Sequence, residues 1–139
     1  MMTALQATCV AFGTRGLVIE GASGAGKSSL ALSLIDRGAT LVGDDGILVE
    51  VDGTHLIASP HPNTRGLLEV RNLGIVEYPV SDNARLCLVV RLDEDAPRYI
   101  DEAQHTTIEG ADLPMVRISP VGPNVALKAE IALEKYGLE

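Results

Sequence analysis

Short apolar runs alternate with polar, glycine- or proline-bearing breaks along most of the chain, the pattern of strands joined by tight turns. Residues 7–12 (Ala-Thr-Cys-Val-Ala-Phe) predict a strand, Gly13–Gly16 a turn, and Leu17–Glu20 a second strand. From 27 to 37 the period changes. Leu30, Ala31, Leu34 and Ile35 recur at helical spacing, and Gly38 stands just past the end as a C-cap. Thr40–Gly43 is a brief strand running into Asp44-Asp45, and 47–51 and 54–58, joined through Asp52-Gly53, predict a hairpin. Pro60, Pro62 and Asn63 mark an irregular loop. Residues 66–78 fit strand and helix equally. Residues 86–92 predict a buried strand, 93–105 a solvated loop or short helix, and 115–118 a strand. Residues 124–135 place Val125, Ala129, Ala132 and Leu133 on one face of a closing amphipathic helix. No repeat, low-complexity tract or linker interrupts the pattern. The expectation is one α/β domain over residues 1–139, with hairpins that rule out a purely parallel sheet.

A chain of 139 residues has the length to bury about two-thirds of its unfolded surface. With no Trp, one Phe and three Tyr in a 46% apolar composition, the core must be built of Leu, Val, Ile and Ala. Runs such as Leu86–Val90 are too short to span a bilayer, and the N-terminus shows neither a basic leader nor a secretory cleavage pattern. The expectation is therefore a cytoplasmic protein with no membrane contact. A net charge of −8, with none of the 11 basic residues in a dense block, argues against a nucleic-acid partner. Cys9 and Cys87 lie in apolar, strand-like segments and are expected to be reduced core thiols. His55, His61 and His105 are scattered without metal-ligand spacing.

The chemistry is concentrated in Gly21-Ala22-Ser23-Gly24-Ala25-Gly26-Lys27-Ser28, a Gly-x-x-x-x-Gly-Lys-Ser phosphate-binding loop followed by Ser29. Glycines let the backbone curl so that successive N–H groups point at phosphate oxygens. The following helix adds unsatisfied N–H groups and the positive end of its dipole. Residues 21–29 are the expected nucleotide-binding set. Lys27 is the mobile charge for the terminal phosphates of ATP, and the Ser28 hydroxyl is a ligand for Mg²⁺. Asp44 and Asp45, at the end of the strand after the loop's helix, are expected at the carboxyl edge of a neighbouring strand, where ligands bind. Asp-Asp-Gly is also ordinary turn chemistry.

Three ordered segments carry a family resemblance: Gly21–Ser28, Leu41-Val42-Gly43-Asp44-Asp45, and Leu68-Glu69-Val70-Arg71-Asn72-Leu73-Gly74-Ile75. Together they resemble the catalytic domain of bacterial HPr kinase/phosphorylase, across roughly residues 5–92. The resemblance implies a single P-loop kinase domain of the HPr kinase/PEP carboxykinase-like type, with a mixed sheet, hairpins and flanking helices. It implies ATP-dependent phosphorylation of a serine on the phosphocarrier HPr within a phosphotransferase system, and a homo-oligomer, a hexamer in that family. Carried over by position, Asp44 is the general base for the serine proton, acting with Lys27. Asp45 and Glu69 join Ser28 in holding Mg²⁺, and Arg71 orders the site.

The chain departs from the family pattern in three ways. The family commonly has a His where Gln6 stands, and Gln hydrogen-bonds but does not titrate. Near its end the family has an Arg-containing Pro-Gly-Arg-Asn segment, against Pro120-Val121-Gly122-Pro123-Asn124 here. The separate N-terminal domain of longer members is not expected here. The expectation is a kinase activity that exceeds the reverse phosphorolysis, with ATP or pyrophosphate open as donor. Two rival readings remain. One is a small-molecule kinase, for which Arg91 and Arg98 lie in a region free to move. The other is a nucleotide-binding regulatory domain without catalysis.

Overall fold

In the computed structural model, which describes residues 2–139, the chain opens with a strand that the hydrophobic pattern does not separate, β1 (Met2–Leu5). Then come β2 (Thr8–Phe12), β3 (Arg15–Glu20), α1 (Lys27–Asp36), β4 (Thr40–Gly43), β5 (Ile47–Asp52) and β6 (His55–Pro60). Next are β7 (Leu67–Val70), β8 (Gly74–Glu77), β9 (Ala84–Leu92), β10 (Gln104–Ile108), β11 (Ala111–Ile118) and α2 (Val125–Tyr136). The sheet is mixed, as the hairpins require.

Nine strands form one sheet, in the order β1-β5-β6-β9-β3-β2-β4, with β11 also on β9 and β10 on β11. β9 is its spine. One edge pairs in parallel with β3 along Arg85–Arg91. The other edge is shared: Ala84 and Arg85 pair antiparallel with β6, and Val89–Leu92 pair in parallel with β11. Two partners on one edge force the sheet to fork and curl. A bulge accompanies this. Gly16 faces Leu86 while Leu17 faces Leu88, so Cys87 has no partner and turns to the same side as Leu88.

The two faces are buried differently. On one, Leu30, Ala31 and Leu34 of α1 and Ala129, Ala132 and Leu133 of α2 pack on Val10, Leu17, Ile19, Leu88 and Val90. The other face folds on itself, with Cys9, Val18, Val42, Val49, Leu56, Leu86, Val89 and Met115 in a second apolar layer. Cys9 and Cys87 are free, buried thiols in opposite layers. α1 stops where Gly38, at φ 110°, lets its N–H reach the Ile35 carbonyl while Ala39 N–H reaches that of Leu34. Arg37 then ties α1 to α2 through Glu130 at 2.7 Å.

The ambiguous stretch 66–78 is a hairpin, β7–β8, forming a separate two-stranded sheet. Asn72 and Gly74, both at positive φ, make its turn. The stretch 93–105 is mostly loop, but its last two residues enter β10. β11 begins earlier than predicted because Ala111–Met115 pair with β10, and Pro114, which has no backbone N–H, falls before the part that pairs with β9. β4 is not adjacent to β3. β2 lies between them, antiparallel to both. β3 and β4 therefore run in the same direction and deliver the phosphate loop and the Asp pair to one sheet edge. Among the described residues, no helix is long and apolar enough to cross a membrane.

Candidate functional site

The phosphate loop leaves β3 at Glu20 and enters α1 at Lys27. Gly24 (φ 80°) and Gly26 (φ 103°) occupy the left-handed region, where a side chain is strained. Gly26 is also the N-cap of α1 and has no side chain to cap it. The N–H groups of the first turn are left for an external acceptor such as a phosphate. Lys27 is half-buried. Its ammonium donates to the carbonyls of Gly21 (2.9 Å) and Ala22 (3.2 Å), folding the side chain back across its own loop.

Asp44 is the hub of the site. Its carboxylate accepts from Ser28 Oγ at 2.8 and 3.0 Å, from Thr8 Oγ1 at 3.1 Å and from the Glu69 backbone N–H at 3.3 Å. Four elements therefore meet at one carboxylate: α1, β2, the end of β4 and β7. Asp45 behaves differently. At φ 63° it is one of three non-glycine residues at positive φ among those described, and it is exposed. Its oxygen accepts from Gln6 Nε2 at 3.3 Å. The division implied by the resemblance gave proton transfer to Asp44 and joined Asp45 to Ser28 at the metal. In the structure Ser28 contacts Asp44 directly, while Asp45 is exposed and contacts Gln6.

A cavity of about 360 Å³ brings the expected residues together: Ser23, Gly24, Gly26, Lys27, Ser28, Ser29, Asp44, Asp45 and Glu69, with Thr8 and Arg71. A second cavity of about 700 Å³ lies against the other side of the loop, lined by Gln6, Gly21, Ala22, Ser23, Lys27, Asp45, Arg91 and Asp93 among others. Asp45 is the only carboxylate of the Asp pair that lines both. Ala25 lines neither and faces a third groove, which also contains the 120–124 segment. That segment, where the family's Arg is missing, is therefore not beside Asp44.

Among the described residues, no three His, Cys, Asp or Glu side chains converge as a metal cage. Mg²⁺ does not need one. It keeps most of its waters and takes one or two carboxylates together with substrate phosphates. A hydroxyl and a carboxylate within hydrogen-bond distance at the mouth of a phosphate loop fit that demand, and Glu69 faces the same cavity.

Three neighbours of the site, Thr8, Glu20 and Asp93, escape a reading of the sequence. Among the described residues Thr8 is the only buried polar side chain, and its signal was a lone hydroxyl inside an apolar run. Glu20 and Arg91 pair at 2.8 Å across the ends of β3 and β9, which fixes Arg91 rather than leaving it on a moving lid. Asp93 accepts from Arg117 at 3.1 Å and from the Asp95 N–H at 2.9 Å. The Asp95 N–H, then Arg117, hold its carboxyl below the usual range.

A family model described as the HPr serine kinase C-terminal domain matches residues 2–138. The chain is similar to the HPr kinase/phosphorylase of an Exiguobacterium species, 33% identical over 99% of this chain and 49% of that protein. It is also similar to the HPr kinase/phosphorylase of Clostridium tetani, 36% identical over 87% of this chain and 44% of that protein. The chain thus spans about half the length of the curated relatives it matches. Among solved structures, the Hpr(Ser) kinase/phosphatase from Coxiella burnetii has the same fold. The TM-score is 0.82 at 24% identity, over 95% of this chain and 94% of that one.

Proposed function

We propose a function from the premise that this chain belongs to the HPr serine kinase C-terminal domain family. In this reading it moves the terminal phosphoryl group of ATP to a serine hydroxyl of the phosphocarrier HPr. The observation that carries the reading is the Ser28–Asp44 contact at 2.8 Å, set at the mouth of an uncapped phosphate loop with Asp45 beside it.

The triphosphate lies over residues 21–29, with backbone N–H groups on its oxygens. Lys27 exchanges its two carbonyl partners for the β- and γ-phosphates. Ser28, Asp44 and Glu69 are the residues that would hold Mg²⁺, which would neutralise charge on the phosphates when bound. The acceptor serine enters the cavity lined by Gln6, Asp45 and Arg91. Its oxygen forms the new bond to the γ-phosphorus as the bond to the ADP oxygen breaks, and its proton passes to the Asp45 carboxylate. Asp44 is poorly suited to take that proton, because three donors already occupy its oxygens.

Residues 1–139 act in this reading as one catalytic domain, in a cytoplasmic homo-oligomer serving a phosphotransferase system. The deciding experiment incubates the protein with Mg-ATP and HPr from the same organism and locates phosphoserine by mass spectrometry. Nucleotide binding without phosphoserine would support the non-catalytic regulator. ATP turnover only with a small-molecule acceptor would support the other rival.

A further inference from the structure

Thr8 stands at the start of β2, inside the apolar run Ala7-Thr8-Cys9-Val10-Ala11, and is 1% exposed. An isosteric valine would suit a buried strand position better, because a hydroxyl withdrawn from water must find partners. Both partners of this hydroxyl belong to the aspartate pair. It donates its one proton to Asp44 Oδ1 at 3.1 Å, and it accepts the Asp45 N–H at 3.5 Å. Two residues earlier, Gln6 holds the Asp45 carboxylate at 3.3 Å.

The turn that Thr8 grips has little room. β4 is bulged where it meets β2, with Cys9 facing Gly43 and Val10 facing Leu41, so that Val42 is skipped. A Cβ at Gly43 would collide with the Gly46 carbonyl, so the chain folds back sharply over residues 43–46. Within this turn Asp45 is at φ 63°, a conformation that an ordinary side chain keeps only where its neighbours hold it. The Thr8 hydroxyl holds its backbone and Gln6 its carboxylate. Asp44 Oδ1 is shared between Thr8 at 3.1 Å and Ser28 at 2.8 Å, so β2 and α1 grip the same oxygen.

We propose that Thr8 is a positioning residue for phosphoryl transfer: one hydroxyl fixes the Asp44 carboxylate against Ser28 and the Asp45 backbone on the acceptor side. The inference rests on the phosphoryl-transfer reading and adds to it what keeps the two carboxylates facing different ways. Thr8 forms and breaks no bond in the reaction and acts through the two aspartates. Without the hydroxyl, Asp44 keeps Ser28 and the Glu69 N–H but is free to rotate, and the Asp45 N–H faces a methyl group instead of an acceptor. The metal-holding side and the proton-accepting side then loosen together. The phosphate loop, which leaves β3 and not β2, stays formed.

Two comparisons at matched size test this: the parent against Thr8→Val, and Thr8→Ser against Thr8→Ala. Each removes the hydroxyl and keeps the shape. Calorimetry measures ATP affinity in EDTA and with Mg²⁺, and steady-state kinetics gives kcat and KM for HPr. Loss of the hydroxyl should lower kcat, and the affinity gained on adding Mg²⁺, each by about tenfold or more. KM for HPr and ATP affinity in EDTA should stay within about twofold, and Thr8→Ser within about threefold of the parent on every measure. If Thr8→Val does not fold, the Ser and Ala variants decide alone. Comparisons that differ only in melting temperature, or a Thr8→Ser that falls as far as Thr8→Val, would overturn the inference and make Thr8 a core residue only. Equal losses of ATP affinity with and without Mg²⁺ would overturn it too. A parent that binds Mg-ATP yet leaves no phosphoserine on HPr would instead overturn the phosphoryl-transfer reading, while the Mg²⁺ comparison would still decide the hold of Thr8 on Asp44.

Discussion

The Ser28 hydroxyl lies 2.8 and 3.0 Å from the two carboxylate oxygens of Asp44, so the first turn of α1 and the end of β4 are joined through a single side chain. Asp45, the next residue, shares none of these bonds and lines the cavities on both sides of the loop. Two carboxylates adjacent in sequence thus have different surroundings, set by a backbone that turns to φ 63° at the second.

Asp45→Asn should leave Mg-ATP affinity nearly unchanged and lower phosphoryl transfer to HPr by about 10²-fold or more, the usual cost of losing a general base. Asp44→Asn should raise the Mg²⁺ concentration needed for half-maximal activity. Steady-state rates over a Mg²⁺ titration separate the two. The reverse pattern would return the base to Asp44.

Lys27→Ala should weaken Mg-ATP binding by about 1.5–3 kcal/mol, tenfold or more, through loss of charge-assisted bonds to the phosphates. It also removes the two bonds to the Gly21 and Ala22 carbonyls. The core is untouched, so circular dichroism melting should change little. Unchanged ATP binding in the folded variant would exclude residues 21–28 as the phosphate site.

Gln6 donates to Asp45 at 3.3 Å and carries no charge. Phosphorolysis needs two anions, phosphate and phosphoserine, held together, so positive charge beside Asp45 should help it more than it helps the forward reaction. Gln6→His should raise pyrophosphate release from phosphoserine-HPr, and more at pH 6 than at pH 8, because an ordinary imidazole is protonated only at the lower pH. Brisk release by the parent would contradict this, as would a gain independent of pH.

The Cys9 thiol is pushed from 9.0 up to about 12, first by burial. A pKa raised on folding gives stability that is complete below the unfolded value and lost as pH climbs toward the folded one. Between pH 7 and pH 10 the parent should lose about 1.4 kcal/mol more unfolding free energy than Cys9→Ala. Urea unfolding at the two pH values measures the difference. Equal losses would show that Cys9 ionises as freely in the folded chain as in the unfolded one.

Much of this was legible in the residues because the signals were local. The phosphate loop, α1 with Gly38 after it, the β5–β6 hairpin around Asp52-Gly53 and α2 are each specified by spacing within a dozen positions. What stayed hidden depends on residues far apart in sequence. No local pattern announces that β2 inserts between β3 and β4, or that Thr8 thereby meets Asp44. The hairpin at 66–78 was unreadable by period because only Leu68 on β7 is fully buried. The different surroundings of Asp44 and Asp45 are likewise invisible in the sequence, since they arise from one backbone angle and a partner sixteen residues away in the chain.

The β7–β8 hairpin is a sheet of its own, fastened to the rest mainly by Leu68 in the core, the Glu69 N–H on Asp44, and the bridge from Leu41 to Val80. Elements so lightly stitched open at lower free energy than the sheet beneath them. When this one lifts, Glu69 and Arg71 leave the cavity, and Asp44 loses one of its three donors. The phosphate loop stays, since β3, α1 and β2 are held by the main sheet and its core. On the proposed reading, opening of the hairpin would take two residues out of the catalytic cavity and leave the nucleotide loop in place, a brake that would act by local unfolding alone.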